Sequence, residues 1–280
     1  MAQALTEAAT SRYAQAGPLR VHYNEAGAGF PVIFCEGQGP GTSAWVVYHR
    51  VVGAICEHFR CLLLDQPGYG KSDPIAVKGE SRSTMYARTI RDFMDALGIE
   101  KASIVDMSFG AQTAQVFAVE NPQRVHKLVL HASGMPGPTM FVSQPTEGIT
   151  TMAETFAQPT LASMRKMMNS FLHDGAKYSD DDLMLQARLE AWLSRPELDK
   201  ARLASDRVQR DLSKDLARLT MPIMQIHGRH DRVSPIESAL MLSNHLPDAI
   251  LVVLNKCGHW APVERPHEFA RLVIDFLKNG

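Results

Sequence analysis

The sequence lacks the features that would place a protein in a membrane or carry it across one. No stretch approaches the roughly 20 consecutive apolar residues that a helix needs to span a bilayer. The first residues, MAQALTEAATSRY, contain neither a basic region nor an apolar core, so we expect no secretory signal. These absences predict a cytoplasmic protein with no membrane partner.

The sequence also lacks an excess of charge of either sign and lacks cysteines at paired spacing. The formal net charge is -1 and no long basic run is present, so we expect no nucleic-acid partner. The 4 cysteines are scattered without C-x-x-C spacing, which favours free thiols in a reducing compartment. No metal-ligand spacing appears, and we expect neither a metal nor another cofactor.

Short β-rich runs alternate with longer helical patterns along most of the chain. LRVHYNEAG alternates with period two, as an antiparallel strand does, and six other runs are typical of buried parallel strands: FPVIFCE, FRCLLLD, ASIVD, HKLVLHA, MPIMQIHG and AILVVLN. Residues 136–218 break this rhythm with a helical, methionine-rich stretch, whose methionines either pack a core or line an adaptable pocket. The pattern predicts an α/β core over 1–135 and 219–280 and a helical lid over 136–218.

Ser108 lies where the strand run ASIVD changes into the small-residue helix FGAQTA. A tight strand-to-helix turn exposes a serine hydroxyl and aims the helix N-terminus at the space beside it. The segment nearly matches G-x-S-x-G, with Gly110 two residues after the serine but Asp106 two residues before it. Taken alone, Ser108 is equally well explained as a helix N-cap.

An acid and a histidine follow in the order that a serine nucleophile requires. Asp231 comes after the run MPIMQI, and His259 comes after AILVVLN. Alone, Asp231 would be a turn aspartate and His259 a structural histidine. Together with Ser108 they supply a nucleophile, a base and a carboxylate that orients the base. The sequence therefore predicts a Ser108–His259–Asp231 triad.

The glycine-rich stretch CEGQGPGTSAW follows the run FPVIF. Such a loop can turn backbone N–H groups toward an oxyanion. By position, the donors would be the N–H groups of Gln38 and Phe109.

With these motifs in view, the chain resembles the α/β-hydrolase superfamily over nearly its whole length, and most of all the meta-cleavage-product hydrolases. The likeness is carried by GPG…AW, LDQPGYGKSD, GRHDRVSP and CGHW…E…EF…LVIDFL. The resemblance implies an α/β-hydrolase fold with a mostly parallel eight-stranded sheet, flanking helices and a helical lid. It also implies hydrolysis of a C–C bond in a carboxylated vinylogous diketone without a cofactor. Because homo-oligomers are common in the family that it resembles, the protein itself could form a homo-oligomer.

The resemblance further assigns roles outside the triad. It implies that Arg188 grips the substrate carboxylate, since a bidentate guanidinium suits that task. The alternative is a solvated lid arginine. It also implies that Trp260, beside the histidine, forms a wall of the pocket.

Three residues depart from the family pattern in ways that bear on the site. Glu36 replaces a histidine, Gln38 replaces a glycine, and Asp106 replaces the first glycine of the elbow. His131 adds a polar group at the end of a neighbouring strand. Since the third, fifth and sixth strands should be adjacent, we expect Glu36, Asp106 and His131 to form a hydrogen-bonded cluster below the nucleophile, either structural or catalytic.

Three other functions remain open at this point. The first is an ester or lactone hydrolase that does not use Arg188. The second is a cofactor-free, non-hydrolytic enzyme in which His259 is the base and Ser108 only positions the substrate. The third is a receptor that keeps the fold and binds a ligand.

Overall fold

The computed structural model describes residues 5–135, 142–179 and 182–279. Its centre is an eight-stranded sheet with the order β1-β2-β4-β3-β5-β6-β7-β8. The strands are β1 (Ser11–Ala16), β2 (Leu19–Ala26), β3 (Pro31–Cys35), β4 (Arg60–Leu64), β5 (Ala102–Met107), β6 (Val125–His131), β7 (Ile223–Gly228) and β8 (Ala249–Leu254). β2 pairs antiparallel with β1 and β4, and the pairs from β4 to β8 are parallel. The predicted α/β-hydrolase fold with a mostly parallel sheet is confirmed.

The strand β1 carries no buried apolar run that would indicate it in the sequence. Its residues SRYAQA are mostly polar, and only Ala16 is fully buried. A strand at the edge of a sheet faces water along one side, so its sequence keeps few apolar residues. Its pairing with β2 fixes its place in the sheet.

Helices cover both faces of the sheet. They are α1 (Glu7–Thr10), α2 (Ala44–Ile55), α3 (Arg82–Ala96), α4 (Phe109–Glu120), α5 (Glu147–Ala157), α6 (Leu161–Phe171), α7 (Gly175–Ser179), α8 (Asp182–Leu193), α9 (Pro196–Ala204), α10 (Ile236–Ser243), α11 (Ala261–Glu264) and α12 (Pro266–Asn279). Tyr48 of α2 and Phe269 of α12 lie in one buried apolar cluster, and Phe93 of α3 and Phe117 of α4 lie in the other. The two clusters are the cores on the two faces of the sheet.

The helix α3 shows how local sequence sets these elements. Ser81 caps its first turn by accepting from the N–H of Thr84, and Gly98 follows its end with φ of 64°. Between these ends, Tyr86, Ile90 and Phe93 recur on one face and are buried.

The helices α5 to α9 lie between β6 and β7 in the chain. Met164 and Met167 of α6 are fully buried and pack into the same apolar cluster as Tyr48. The predicted start of the lid, residues 136–141, lies outside the described residues. Within the described part of the chain, no helix has the length and apolar character needed to cross a bilayer.

Candidate active site

Ser108 occupies a strained turn between β5 and α4. Its φ is 54° and its ψ is -121°, a backbone conformation that costs a non-glycine residue of the order of 1–3 kcal/mol. It stands at the N-cap position of α4, yet its side chain makes no capping hydrogen bond. The hydroxyl is therefore not used to close the helix, which argues against the N-cap explanation.

Two glycines make room for this turn. A Cβ on Gly37 would lie 2.8 Å from the Cβ of Ser108, and a Cβ on Gly110 would lie 1.9 Å from Oδ1 of Asp106. Both positions are too tight for a side chain. The loop after β3 can approach the serine, and α4 can pack against β5, because these two side chains are missing.

Asp231 and His259 lie at the ends of neighbouring strands and meet in a buried hydrogen bond. Nδ1 of His259 donates to Oδ2 of Asp231 over 2.8 Å. Oδ1 of Asp231 accepts from the N–H groups of Val233 and Ser234. Burial alone would raise the pKa of Asp231, but His259 and these further partners hold it below its ordinary value. The carboxylate is thus ionised and fixes the histidine with Nε2 free to act as a base.

Ser108 and His259 open together onto a cavity of about 620 Å³. Gln38 and Phe109, the two predicted oxyanion donors, also line it. Phe171, at the end of α6, lies edge-on to His259 with ring centroids 5.4 Å apart, and its carbonyl accepts from the N–H of His259 over 2.6 Å. The structure therefore brings Ser108, His259 and the two predicted oxyanion residues to one cavity, bordered by a helix that follows β6, and Asp231 joins them through its hydrogen bond to His259.

Arg188 is buried rather than solvated. Its exposed fraction is 3%, and burial lowers the pKa of its guanidinium to about 9. Nε donates to the carbonyl of Pro40 over 2.8 Å and Nη1 contacts Sδ of Met168, whereas Nη2 has no hydrogen-bond partner among the described residues. A Cβ on Gly39 would lie 2.9 Å from this nitrogen, so the free N–H groups lie against the loop that carries Gln38.

Trp260 lies between Arg188 and the triad. The guanidinium carbon of Arg188 is 4.8 Å from its ring centroid, a cation–π arrangement. Arg188 and Trp260 line a second cavity of about 360 Å³, which Ser108 does not line. A small gap lined by Trp260 and Thr42 as well as by Ser108 and His259 lies between the two cavities, and it is too narrow to admit a water molecule.

Glu36 and Asp106 form a pair of buried carboxyl groups below the elbow. Oε1 of Glu36 accepts from the N–H of Gln66, and Oδ1 of Asp106 accepts from the N–H of Met107. The second oxygen of each has no partner among the described residues. Burial raises the pKa of both groups well above the ordinary value, and Glu36 raises that of Asp106 further. Burial therefore favours the neutral form of both carboxyl groups.

His131 does not join this pair, and the expected cluster of three residues is wrong in this respect. In the β5–β6 register, Met107 is opposite His131 and Asp106 is opposite Leu130. Since successive side chains on a strand point to opposite faces, Asp106 and His131 lie on different faces of the sheet. His131 instead donates from Nδ1 to the carbonyl of Ile226 and accepts at Nε2 from the N–H of Ala261.

Comparisons with known proteins agree with this arrangement. A family model described as the alpha/beta hydrolase fold matches residues 31–266. The chain is 38% identical to a 2-hydroxy-6-oxononadienedioate/2-hydroxy-6-oxononatrienedioate hydrolase of Cupriavidus pinatubonensis, over 99% of this chain and 98% of the relative. It is also 38% identical to a 2-hydroxy-6-oxo-6-phenylhexa-2,4-dienoate hydrolase of Comamonas testosteroni, over 98% and 99% of the two chains. The chain belongs to the α/β-hydrolase family, in the branch of the meta-cleavage-product hydrolases.

Solved structures support the assignment of this hydrolase to the same family. The 2-hydroxy-6-oxo-6-phenylhexa-2,4-dienoate hydrolase of Rhodococcus sp. strain RHA1 superposes with a TM-score of 0.85 at 27% identity, covering 96% of this chain and 98% of that one. The meta-cleavage product hydrolase of Pseudomonas fluorescens IP01 gives a TM-score of 0.81 at 28% identity, covering 95% and 97%. The predicted family is confirmed.

The cavity is also lined by residues that the sequence does not single out. Arg82, Arg207 and Arg210 line the 620 Å³ cavity together with Ser108 and His259. Oε1 of Gln38 accepts from Nη2 of Arg82 over 3.4 Å, and the guanidinium of Arg82 stands 5.2 Å from the ring centroid of Phe109. Arg82 begins α3, and Arg207 and Arg210 follow α9; none of them belongs to a motif, so their position in the cavity wall becomes visible only in the folded chain.

Proposed function

We propose that the protein hydrolyses a carbon–carbon bond in a carboxylated vinylogous diketone, a meta-cleavage product. The observation that carries this proposal is the buried guanidinium of Arg188, which has an unused Nη2 beside the oxyanion loop. A buried cation without a carboxylate partner is costly, and a bound carboxylate would offset that cost. A simple ester would offer Arg188 no such group.

In this proposal, His259 moves protons and Ser108 attacks. With Asp231 fixing its tautomer, His259 first assists conversion of the dienol substrate to its keto form, and then removes the proton of the Ser108 hydroxyl. Oγ of Ser108 adds to the ketone carbonyl, and the carbon–carbon bond breaks with its electron pair leaving on the conjugated keto-acid fragment. Water releases the acyl fragment from Ser108.

The N–H groups of Gln38 and Phe109 would stabilise the oxyanion of the addition step. Phe109 begins α4, so the helix N-terminus adds its partial positive charge at the same place. Both residues line the cavity with Ser108.

The two cavities suit the two parts of such a substrate. The carboxylate end would lie in the cavity beside Arg188, and the substituent on the ketone would occupy the 620 Å³ cavity. Trp260 or the oxyanion loop would have to move to connect them, since the gap between Trp260 and His259 does not admit a water molecule. We further propose that residues 136–218 form the lid over this site. The cysteines Cys35, Cys56, Cys61 and Cys257 are free, which supports a cytoplasmic enzyme.

The test compares a 2-hydroxy-6-oxo-dienoate with an aryl ester of a simple acid, for the wild type, Ser108→Ala, Arg188→Met and the control Arg271→Met. Arg271 is an exposed arginine of α12 that pairs with Asp275. We expect the wild type to favour the dienoate and Ser108→Ala to lose both activities. For Arg188→Met we expect kcat/KM to fall on the order of 100-fold for the dienoate, the size of a lost charge-assisted pair, with a smaller change for the ester.

An ester preference in the wild type, together with equal effects of Arg188→Met on both substrates, would replace this proposal by an esterase. High dienoate activity in Ser108→Ala would show that the serine only positions the substrate. Either result is read against Arg271→Met, which controls for the removal of an arginine elsewhere.

A further inference from the structure

The wall of the triad cavity carries an excess of positive charge. Arg82, Arg207 and Arg210 line it, and the one lining carboxylate among the described residues is Asp206. Asp206 is already engaged, since Oδ1 lies 3.1 Å from Nζ of Lys78 and Oδ2 accepts from the N–H of Gly79. Its charge therefore does not neutralise the arginines.

Backbone pairing holds two of these arginines near each other. The N–H of Asp206 donates to the carbonyl of Val77 over 2.9 Å, and Ser81 and Val208 form a parallel β-bridge. Arg207 and Arg82 are the chain neighbours of the two bridge residues. The stretch after α9 is thus fixed beside the start of α3, and both arginines face one cavity.

The protein pairs these guanidinium groups only in part: Arg82 donates to Oε1 of Gln38, Arg207 is exposed, and Arg210 lies at long range from two carboxylates. Within the described part of the chain, neither Arg82 nor Arg207 makes an ion pair with a carboxylate. Nη2 of Arg210 lies 3.9 Å from both Glu120 and Asp215, which is long for a direct hydrogen bond, and its buried Nε has no partner among the described residues. Three cations that line one cavity make its electrostatic potential positive, which favours the binding of an anion.

We propose that Arg82, Arg207 and Arg210 form an anion subsite that binds a second carboxylate, carried by the substituent on the ketone of the substrate. This inference rests on the proposed function and narrows it to dicarboxylates, for which Arg188 and the subsite hold opposite ends. The two relatives at 38% identity are named for different substrates, a nonadienedioate with two carboxylates and a phenylhexadienoate with one. Overall identity does not separate these classes, whereas the arginines in the cavity wall favour the dioate.

The reaction balances without another reactant. Water adds across the bond between the ketone carbon and the dienoate, the proton goes to the dienoate fragment, and the ketone carbon becomes a new carboxyl group. From the nonadienedioate the acyl product is succinate, which carries its second carboxylate to the arginines. Succinate is therefore a probe of the subsite that needs no turnover.

The first test measures kcat/KM for 2-hydroxy-6-oxonona-2,4-dienedioate and for 2-hydroxy-6-oxo-6-phenylhexa-2,4-dienoate. The variants are Arg207→Gln/Arg210→Gln and the double control Arg271→Gln/Arg265→Gln, which removes two partly exposed arginines near α12. We expect the dioate-to-phenyl ratio to fall at least 30-fold in Arg207→Gln/Arg210→Gln, in line with the loss of charge-assisted hydrogen bonds. We expect the control to keep the ratio within about twofold of the wild type. An unchanged ratio in Arg207→Gln/Arg210→Gln overturns the inference while leaving the proposed function intact.

The second test measures binding of succinate and butyrate by calorimetry, which separates the two proposals if the wild type cleaves neither dienoate. We expect succinate to bind at least 10-fold more tightly than butyrate to the wild type, since only succinate has the second carboxylate. In Arg207→Gln/Arg210→Gln the difference should shrink to about twofold. Equal binding of the two acids by the wild type, or a difference that persists in the variant, rejects the subsite.

Discussion

Asp106 and His131 end neighbouring strands, yet their side chains point to opposite faces of the sheet. Asp106 pairs in register with Leu130, and His131 pairs with Met107. Each side chain is fully buried, and burial favours the neutral form of both by raising the pKa of Asp106 and lowering that of His131. The site therefore rests on two separate buried groups whose effects on stability have opposite dependence on pH.

The substitution Asp106→Asn tests the acidic group. Burial raises the pKa of Asp106 above that of the same group in the unfolded chain, so this group lowers the free energy of unfolding as the pH rises above about 4. Asparagine keeps an acceptor for the N–H of Met107 and does not titrate. We expect the variant to lose less stability than the wild type between about pH 5 and 8, by up to about 1.4 kcal/mol per pH unit. Urea denaturation across this range measures the difference.

The matched control for Asp106→Asn is Asp275→Asn, which changes an exposed carboxylate of α12. It should show the pH dependence of the wild type. The same slope in Asp106→Asn would mean that Asp106 is ionised in the folded protein.

The substitution His131→Gln tests the basic group. Burial, with a further contribution from His259, lowers the pKa of His131 to about 3. Below about pH 6.5 the unfolded chain binds a proton at this histidine that the folded protein does not bind. The free energy of unfolding is therefore unaffected by this group at neutral pH and decreases as the pH falls toward 3. We expect His131→Gln to reduce the acid slope of the unfolding free energy by about 1.4 kcal/mol per pH unit.

Some acid sensitivity should remain in His131→Gln, because burial also lowers the pKa of His227. Replacement of the exposed His267 by glutamine serves as the comparison. If both variants lose stability in acid as steeply as the wild type, His131 is not the group that resists protonation.

The substitution Asp231→Asn tests the carboxylate of the triad. An amide at the position of Oδ2 cannot accept from Nδ1 of His259, so the histidine loses the tautomer that a base requires. We expect kcat to fall by about 10³ to 10⁴ while the fold remains, since the oxygen that accepts from Val233 and Ser234 is kept. Steady-state kinetics and thermal unfolding are measured together, with the exposed Asp248→Asn as control. A kcat within tenfold of the wild type would exclude Asp231 from the triad.

The substitution Gly37→Ala tests the close approach of the loop to the nucleophile. The new Cβ would lie 2.8 Å from the Cβ and 3.4 Å from Oγ of Ser108, so the serine or the loop must move. A small displacement of a nucleophile costs on the order of 100-fold in rate. We expect a loss of that size in kcat. In Gly53→Ala of α2, where the added Cβ meets only Leu5 at 3.9 Å, kcat should stay at the wild-type value. Equal kcat for both variants would contradict the close approach.

The sequence by itself determined which stretches of the chain become strands and which residues follow each strand. Hydrophobic periodicity is local, so the runs that become β3 to β8 are visible in it, and the residues that follow each run are placed at one edge of the sheet. This is why Ser108, Asp231 and His259 are predicted from sequence. In the structure Ser108 and His259 line one cavity, and Asp231 is hydrogen-bonded to His259. The edge strand β1 escapes the same reasoning because it has little apolar surface to bury.

Tertiary structure decided what surrounds these residues. In the β5–β6 register Asp106 is opposite Leu130, one residue before His131, so the side chains of Asp106 and His131 point to different faces. No local sequence pattern encodes that register. The burial of Arg188 depends on how α8 packs against the loop after β3, and the place of Arg207 depends on pairing with a segment more than a hundred residues earlier in the chain. The chemistry of the site follows from short stretches of sequence, whereas its ligand preferences depend on contacts between distant segments.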